Sequence, residues 1–120
     1  MVSTSVTVPA GHHALLLINF TAESECYGGS TSADDYCLVE AFVDGADATP
    51  GNPGYAFNST NQGTNSDVNW QSTSEDYSIY VGPGTHHIQM KEAVTDVGAT
   101  GTQFLWIDDR QMTVQVSLAS

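Results

Sequence analysis

His13-Ala14-Leu15-Leu16-Leu17-Ile18-Asn19-Phe20-Thr21-Ala22 is the stretch that decides the fold. Read with a period of two, its even positions give Ala14, Leu16, Ile18, Phe20 and Ala22, an unbroken apolar face. An extended strand puts all five on one side, because successive side chains alternate across it. The odd positions carry Leu15 and Leu17, so the second face is apolar as well. Such a strand is central in its sheet, or its outer face is covered by another subunit. Leu15 and Leu17 are therefore expected at an oligomer interface.

The same period runs outward in both directions. Val6 and Val8 precede a Pro9-Ala10-Gly11 turn, and the turn leads into the decisive strand. Downstream, Cys37–Val43 reads as a strand ending at Asp44-Gly45, a turn pair. The 46–54 stretch holds Pro50, Gly51, Pro53 and Gly54 and reads as a loop. Short strands follow at Tyr55–Phe57 and Trp70–Ser74, separated by a polar loop over 58–69. Tyr77, Ile79 and Val81 alternate on one face, and Gly82-Pro83-Gly84 turns the chain into His86–Glu92. A loop is expected over 94–102. Phe104–Ile107 and Met112–Leu118 close the chain as two strands, with Asp108-Asp109-Arg110-Gln111 as the turn between them. The expected core is Leu16, Ile18, Phe20, Leu38, Phe42, Ile79, Ile88, Met90, Trp106, Val114 and Val116. About eight or nine strands at this spacing, with no helical periodicity, predict a single all-β domain over 1–120, an antiparallel β-sandwich.

Charge narrows the functions. Fourteen Asp and Glu face two basic residues, Lys91 and Arg110, for a net charge of -12. A phosphate backbone is held by Lys and Arg, so nucleic acid is excluded as a partner. The same deficit removes attraction to anionic membranes, and no apolar run approaches the ~20 residues of a membrane-spanning helix. Charged residues are only 13% of the chain, so solubility rests on Ser, Thr, Asn and Gln with charge of one sign. That balance suits a secreted, salt-adapted or virion-surface protein.

Cys26 and Cys37 enclose a polar, turn-forming insert. Either they are two buried free thiols or they form a disulfide, and the loop between them favours the disulfide, closing the base of a long hairpin. Such a link contributes ~2–3 kcal/mol and belongs to an oxidising compartment.

One echo links distant segments. Val8-Pro9-Ala10-Gly11-His12-His13 is similar to Val81-Gly82-Pro83-Gly84-Thr85-His86-His87, two tight turns entering two inner strands. Together with Tyr-Ser-Ile-Tyr-Val over 77–81 and the closing Phe104-Leu105-Trp106-Ile107-Asp108-Asp109-Arg110-Gln111-Met112-Thr113-Val114, the pattern resembles bacterial and phage jelly-roll modules of the complement and tumour-necrosis-factor type. That resemblance implies a jelly-roll-like sandwich, often trimeric, with a binding, adhesion or virion-surface role and no catalytic residues.

Candidate chemistry follows from residue type. Exposed aromatic rings beside polar groups suit saccharides, and Trp70, Tyr55 and Tyr27 are the candidates for a surface glycan or protein ligand. Asp44 and Asp47 flank a turn and are candidate ligands for a structural calcium, which takes oxygen donors from irregular loops. His13 and His87, joined by Glu92, would be the metal set of a small metal-dependent enzyme. Adjacent histidines of each pair point to opposite faces, so neither pair grips one ion. The sequence holds no Gly-x-Ser-x-Gly elbow and no phosphate loop. A non-catalytic module outside the cell is the leading expectation, the carbohydrate module the alternative and the metal enzyme the second alternative. Two sequons, at Asn19 and Asn58, matter only in a glycosylating host.

Overall fold

The computed structural model describes residues 2–29, 35–51, 54–60, 70–95 and 103–120. Residues 61–69 of the loop expected over 58–69, residues 96–102 of that expected over 94–102, and half of the insert between the cysteines lie outside these residues. Among the described residues there are eight strands and no helix: β1 (Ser3–Val8), β2 (His13–Gly28), β3 (Tyr36–Val43), β4 (Ala46–Asp47), β5 (Tyr55–Ser59), β6 (Gln71–Val81), β7 (Gly84–Thr95) and β8 (Gln103–Ala119). They form two antiparallel sheets packed face to face, the predicted β-sandwich. Sheet A runs β1-β7-β3, with β4 and β5 sharing the far edge of β3; sheet B runs β6-β2-β8.

The decisive strand is central, as its two apolar faces require. β2 has 16 residues and pairs with β6 on one side and β8 on the other. Its even side chains Ala14, Leu16, Ile18, Phe20 and Ala22 are all buried in the core. The echoed turns both carry the chain between sheets, from β1 to β2 and from β6 to β7, and both enter inner strands. Positive φ at Gly11 (80°) and Gly84 (120°) explains why each turn carries glycine.

β8 corrects the sequence reading. Asp108–Gln111 does not turn back; β8 is one strand of 17 residues, paired along β2 throughout. The register steps from Thr21↔Gln111 to Glu23↔Asp108, so β8 has one residue too many there. Asp109, at φ 44°, absorbs it as a β-bulge. Asp tolerates that left-handed conformation, which is why the segment reads as a turn.

The core differs from expectation in two strands. On β3, Val39, Ala41 and Val43 face the core, while Leu38 and Phe42 lie on the opposite face. Leu38 and Glu40 are buried on that outer face too, where Gly54 packs against Glu40, so the parity of β3 cannot be read from hydrophobicity. Trp106 is not core: it is 55% exposed, its neighbours Leu105 and Ile107 turning inward in its place. Val116 is also partly exposed, near the end of β8. Phe57, Tyr77 and Val8 complete the core instead.

Two polar contacts lock the sheets together. Tyr77 Oη, buried in sheet B, donates to the Val39 carbonyl of sheet A at 2.7 Å. Burial holds the Tyr77 phenol well above its ordinary range. Asn58 is fully occupied: its Nδ2 donates to the Ser24 carbonyl (3.1 Å) and Oγ (3.0 Å), and its Oδ1 accepts from Ser59 N and Gln71 Nε2, both at 2.7 Å. This clasp ties β5 to β2 and β6, and it makes Asn58 unusable as a glycan acceptor. Asn58→Ala strands the partners in a dry site and is expected to cost ~2–3 kcal/mol in urea unfolding; a loss under about 0.5 kcal/mol would show that water replaces the clasp.

Candidate functional site

The site lies between β7 and β8. β1 pairs with β7 only as far as Gln89, and the Met90 amide reaches back to the Val2 carbonyl at 3.0 Å. Beyond it, β7 has no neighbour on that side among the described residues. β8 is likewise the outer strand of sheet B. Between these two open edges lies a groove of about 540 Å³, lined by Gln89, Met90, Lys91, Glu92, Leu105, Trp106, Ile107 and Arg110. Its volume falls in the range of small-molecule sites, about 300–1,000 Å³. Met90 is buried, and Leu105 and Ile107 pack on the core, so the base of the groove is held by the sandwich itself, while most of its exposed lining is polar.

Both basic residues of the chain line this one groove. Among the described residues neither makes an ion pair; the single one joins His86 to Asp44. Lys91 Nζ rests 4.6 Å from the centre of the Phe42 ring, a cation–π contact on the outer face of β3. Arg110 sits at the β8 bulge, exposed, with its guanidinium unpaired.

An aromatic strip borders the groove. Trp106 Nε1 donates to Tyr27 Oη at 2.7 Å, and the Tyr27 ring stacks on Phe104 with centroids 5.0 Å apart. These contacts hold the Trp106 indole on the outer side of sheet B. Opposite Trp106 in the register is Glu25, only 5% exposed, with Oε1 lacking a hydrogen-bond partner.

The expected site residues are placed as follows. Trp70, 43% exposed, directly precedes Gln71, the partner of Ser24, and so stands at the same end of sheet B as Tyr27. Tyr55 does not join them: it pairs with Val39 and its ring meets Tyr77 edge-on at 5.5 Å, between the sheets. Sequence reasoning missed Trp106 and Arg110. The alternation Phe104, Trp106, Asp108 would have put the indole on the polar side of β8.

Cys26 and Cys37 are bonded, with Cα atoms 6.1 Å apart. The link does not close a hairpin, since β2 lies in sheet B and β3 in sheet A; it bolts the two sheets together. Gly29, at φ 73°, follows β2 here, and a Cβ on it would run into the Asp35 carboxylate. A structural disulfide of this kind belongs to an oxidising environment.

Asp44 and Asp47 turn to different partners. Asp44 caps β7: Oδ1 accepts from the His87 amide at 2.8 Å and Oδ2 contacts His86 Nδ1 at 2.7 Å. Asp47 faces Glu40, whose carboxyl is held above its ordinary range by burial and by the Asp47 charge. The metal set proposed for an enzyme is also dispersed. His87 and Glu92 lie an odd five positions apart on β7 and so point to opposite faces. Among the described residues no three His, Cys, Asp or Glu side chains gather as a metal site.

His86 offers a pH test. Its Nδ1 meets Asp44 and its Nε2 meets the Gly82 carbonyl at 2.8 Å, so both nitrogens face acceptors, an arrangement that favours the imidazolium. The Asp44 hydrogen bond, then the Gly82 carbonyl, raise the His86 pKa above 6.5; the His87 amide, then His86, lower that of Asp44 below 3.8. The His86 contribution to stability is complete below its unfolded value and is lost as pH rises through its raised folded one. The Asp44 contribution is complete above its unfolded value and is lost as pH falls through its lowered one. The melting-temperature difference between wild type and Asp44→Asn is therefore expected to be largest near pH 4–6, between the two ordinary values, and to shrink as the pH rises above 6.5. Asn keeps the amide contact and tolerates φ 51°, so a pH-independent difference would show that the pair is not charged.

Compared with models of protein families, with curated proteins and with solved structures, the chain matches none. Its fold and site define a class: an all-β sandwich bolted by a disulfide, with a ligand-sized groove at its open edge.

Proposed function

We propose that the chain is a non-catalytic binding module that works outside the cell or on a virion surface and holds a small ligand in the β7–β8 groove. The observation that supports this is the groove itself, with a mostly polar lining, Leu105 and Ile107 packed beneath it, and both Lys91 and Arg110 on its rim without an ion pair among the described residues. The disulfide favours the extracellular setting. Adhesion through a surface glycan, the carbohydrate alternative, uses this groove and Trp106 rather than a surface shared by Trp70, Tyr55 and Tyr27. A screen of the purified chain on an immobilised glycan array tests it. Binding to a defined glycan that is lost in Trp106→Ala, with the melting temperature unchanged, supports the reading. A blank array, or binding indifferent to Trp106, counts against it.

Self-assembly is the second reading, and one observation favours it. Leu17 is 39% and Tyr80 80% exposed, and both lie on the outer face of sheet B, where Tyr80 pairs with Leu15. The jelly-roll resemblance makes a trimer the expected form. A charge of -12 on each copy opposes association, so any trimer should tighten with salt. Native mass spectrometry of wild type and Leu17→Ser decides: multimers lost in the variant support assembly, and monomers throughout remove it.

A further inference from the structure

We propose that the β7–β8 groove takes an acidic saccharide, a hexuronic acid unit within a short glycan, with Arg110 as the residue that reads its carboxylate. This deepens the binding reading above and rests on it. The argument starts from charge placement. In a chain with 14 acids and two bases, a cation is normally neutralised by a neighbouring carboxylate. Here Lys91 and Arg110 come from different sheets, meet at one groove and have no ion pair among the described residues. A guanidinium presents a planar fork of donors that matches a carboxylate with two parallel hydrogen bonds, so the unpaired Arg110 is the recognition group. Lys91 is already engaged over Phe42 and adds positive potential without direct contact.

The remaining walls select the rest of the ligand. Leu105 and Ile107, half-buried over Met90, give an apolar patch for the C–H face of a pyranose ring, and Gln89 and Glu92 give hydrogen-bonding partners for hydroxyls. The overall field decides between one acid and many. A net charge of -12 repels polyanions such as nucleic acid or heavily sulfated chains, leaving an isolated acidic unit as the anion the groove can accept. Glu92, the carboxylate on the wall, works in the same direction.

The test is titration of the full chain, by calorimetry and tryptophan fluorescence, with methyl glycosides of glucuronic, galacturonic and mannuronic acid and with the neutral hexosides of the same rings. At least one uronide is expected to bind about tenfold more tightly than its neutral counterpart. Arg110→Gln should abolish that preference, Lys91→Gln should weaken it about two- to threefold, and raised salt should weaken it as well. Both residues are exposed, so each variant should keep the wild-type melting temperature. Equal affinity for a uronide and its hexoside leaves the groove as a ligand site but overturns the acidic assignment. Acetate displacing the uronide at equal concentration overturns the saccharide part. Uptake of no glycoside up to millimolar concentration overturns this inference and the groove reading together.

Discussion

Phe20→Ala is expected to destabilise the chain by ~3–5 kcal/mol, the largest effect of any single substitution described. Phe20 is fully buried at the middle of β2, and its ring meets that of Phe57 from the other sheet, centroids 5.7 Å apart and tilted by 43°. Removing it deletes this ring contact between the sheets, and β2 cannot shift to fill the space because it is hydrogen-bonded on both sides. For a chain of this length about 1 kcal/mol corresponds to roughly 4 °C, so the melting temperature should fall by roughly 12–20 °C. Phe20→Leu, which keeps most of the volume, should lose less than about half of that. Circular dichroism melts of the three proteins check it. Equal losses for Leu and Ala would mean that ring geometry rather than volume matters, and a loss under about 1 kcal/mol would mean that the sheets do not close on Phe20.

Removal of the disulfide by Cys26→Ala with Cys37→Ala carries the second large effect. The bond closes a loop of sequence separation 11, for which the chain-entropy account gives ~2–3 kcal/mol, or roughly 8–12 °C. Because the bond joins sheet B to sheet A, its loss should be felt first where the sheets part, at Gln103 and the Tyr27–Phe104 stack. Gln103 Nε2 lies 2.8 Å from the Tyr36 carbonyl and 3.5 Å from Cys37 Sγ, so the β8 end depends on this link. Near-ultraviolet circular dichroism, which reports Trp106 and its neighbours, should therefore change before the far-ultraviolet strand signal on heating the double variant. Coincident loss of both signals at the wild-type temperature would remove the structural role given to the bond.

How far the sequence reveals this molecule depends on the range of the interactions. β2 and the two Gly-Pro turns are legible, because period-two alternation and left-handed glycines are local signals. The continuity of β8 is hidden, since Asp109 makes the same conformation in a turn and in a bulge; only the length of β2, whose pairing runs on to Gly28, resolves it. Trp106 misleads for a related reason: two apolar neighbours suggest a core segment, although alternation alone sends the indole outward. Cys26 and Cys37 are legible as a bond, yet not as a bolt between sheets. The groove is invisible in the sequence. It exists because β7 and β8 border it from different sheets and because Lys91 and Arg110, 19 positions apart, meet across it, an arrangement that no local pattern describes.

The order in which the strands appear along the chain has a consequence for biosynthesis. β2 is the spine of sheet B, yet β8, with which it shares its longest pairing, begins 90 positions after β2 does (His13 against Gln103). At ribosomal speeds of about 5–20 residues per second, β2 waits roughly 5–20 s for its longest pairing partner. During that interval a sticky ribbon is exposed on the nascent chain, and the surplus of carboxylates spread along the same polypeptide is what keeps neighbouring copies from zipping onto it. A molecule truncated before Gln103 should accordingly accumulate as aggregate rather than as a loosened monomer, and its insolubility should worsen as acidification discharges those carboxylates.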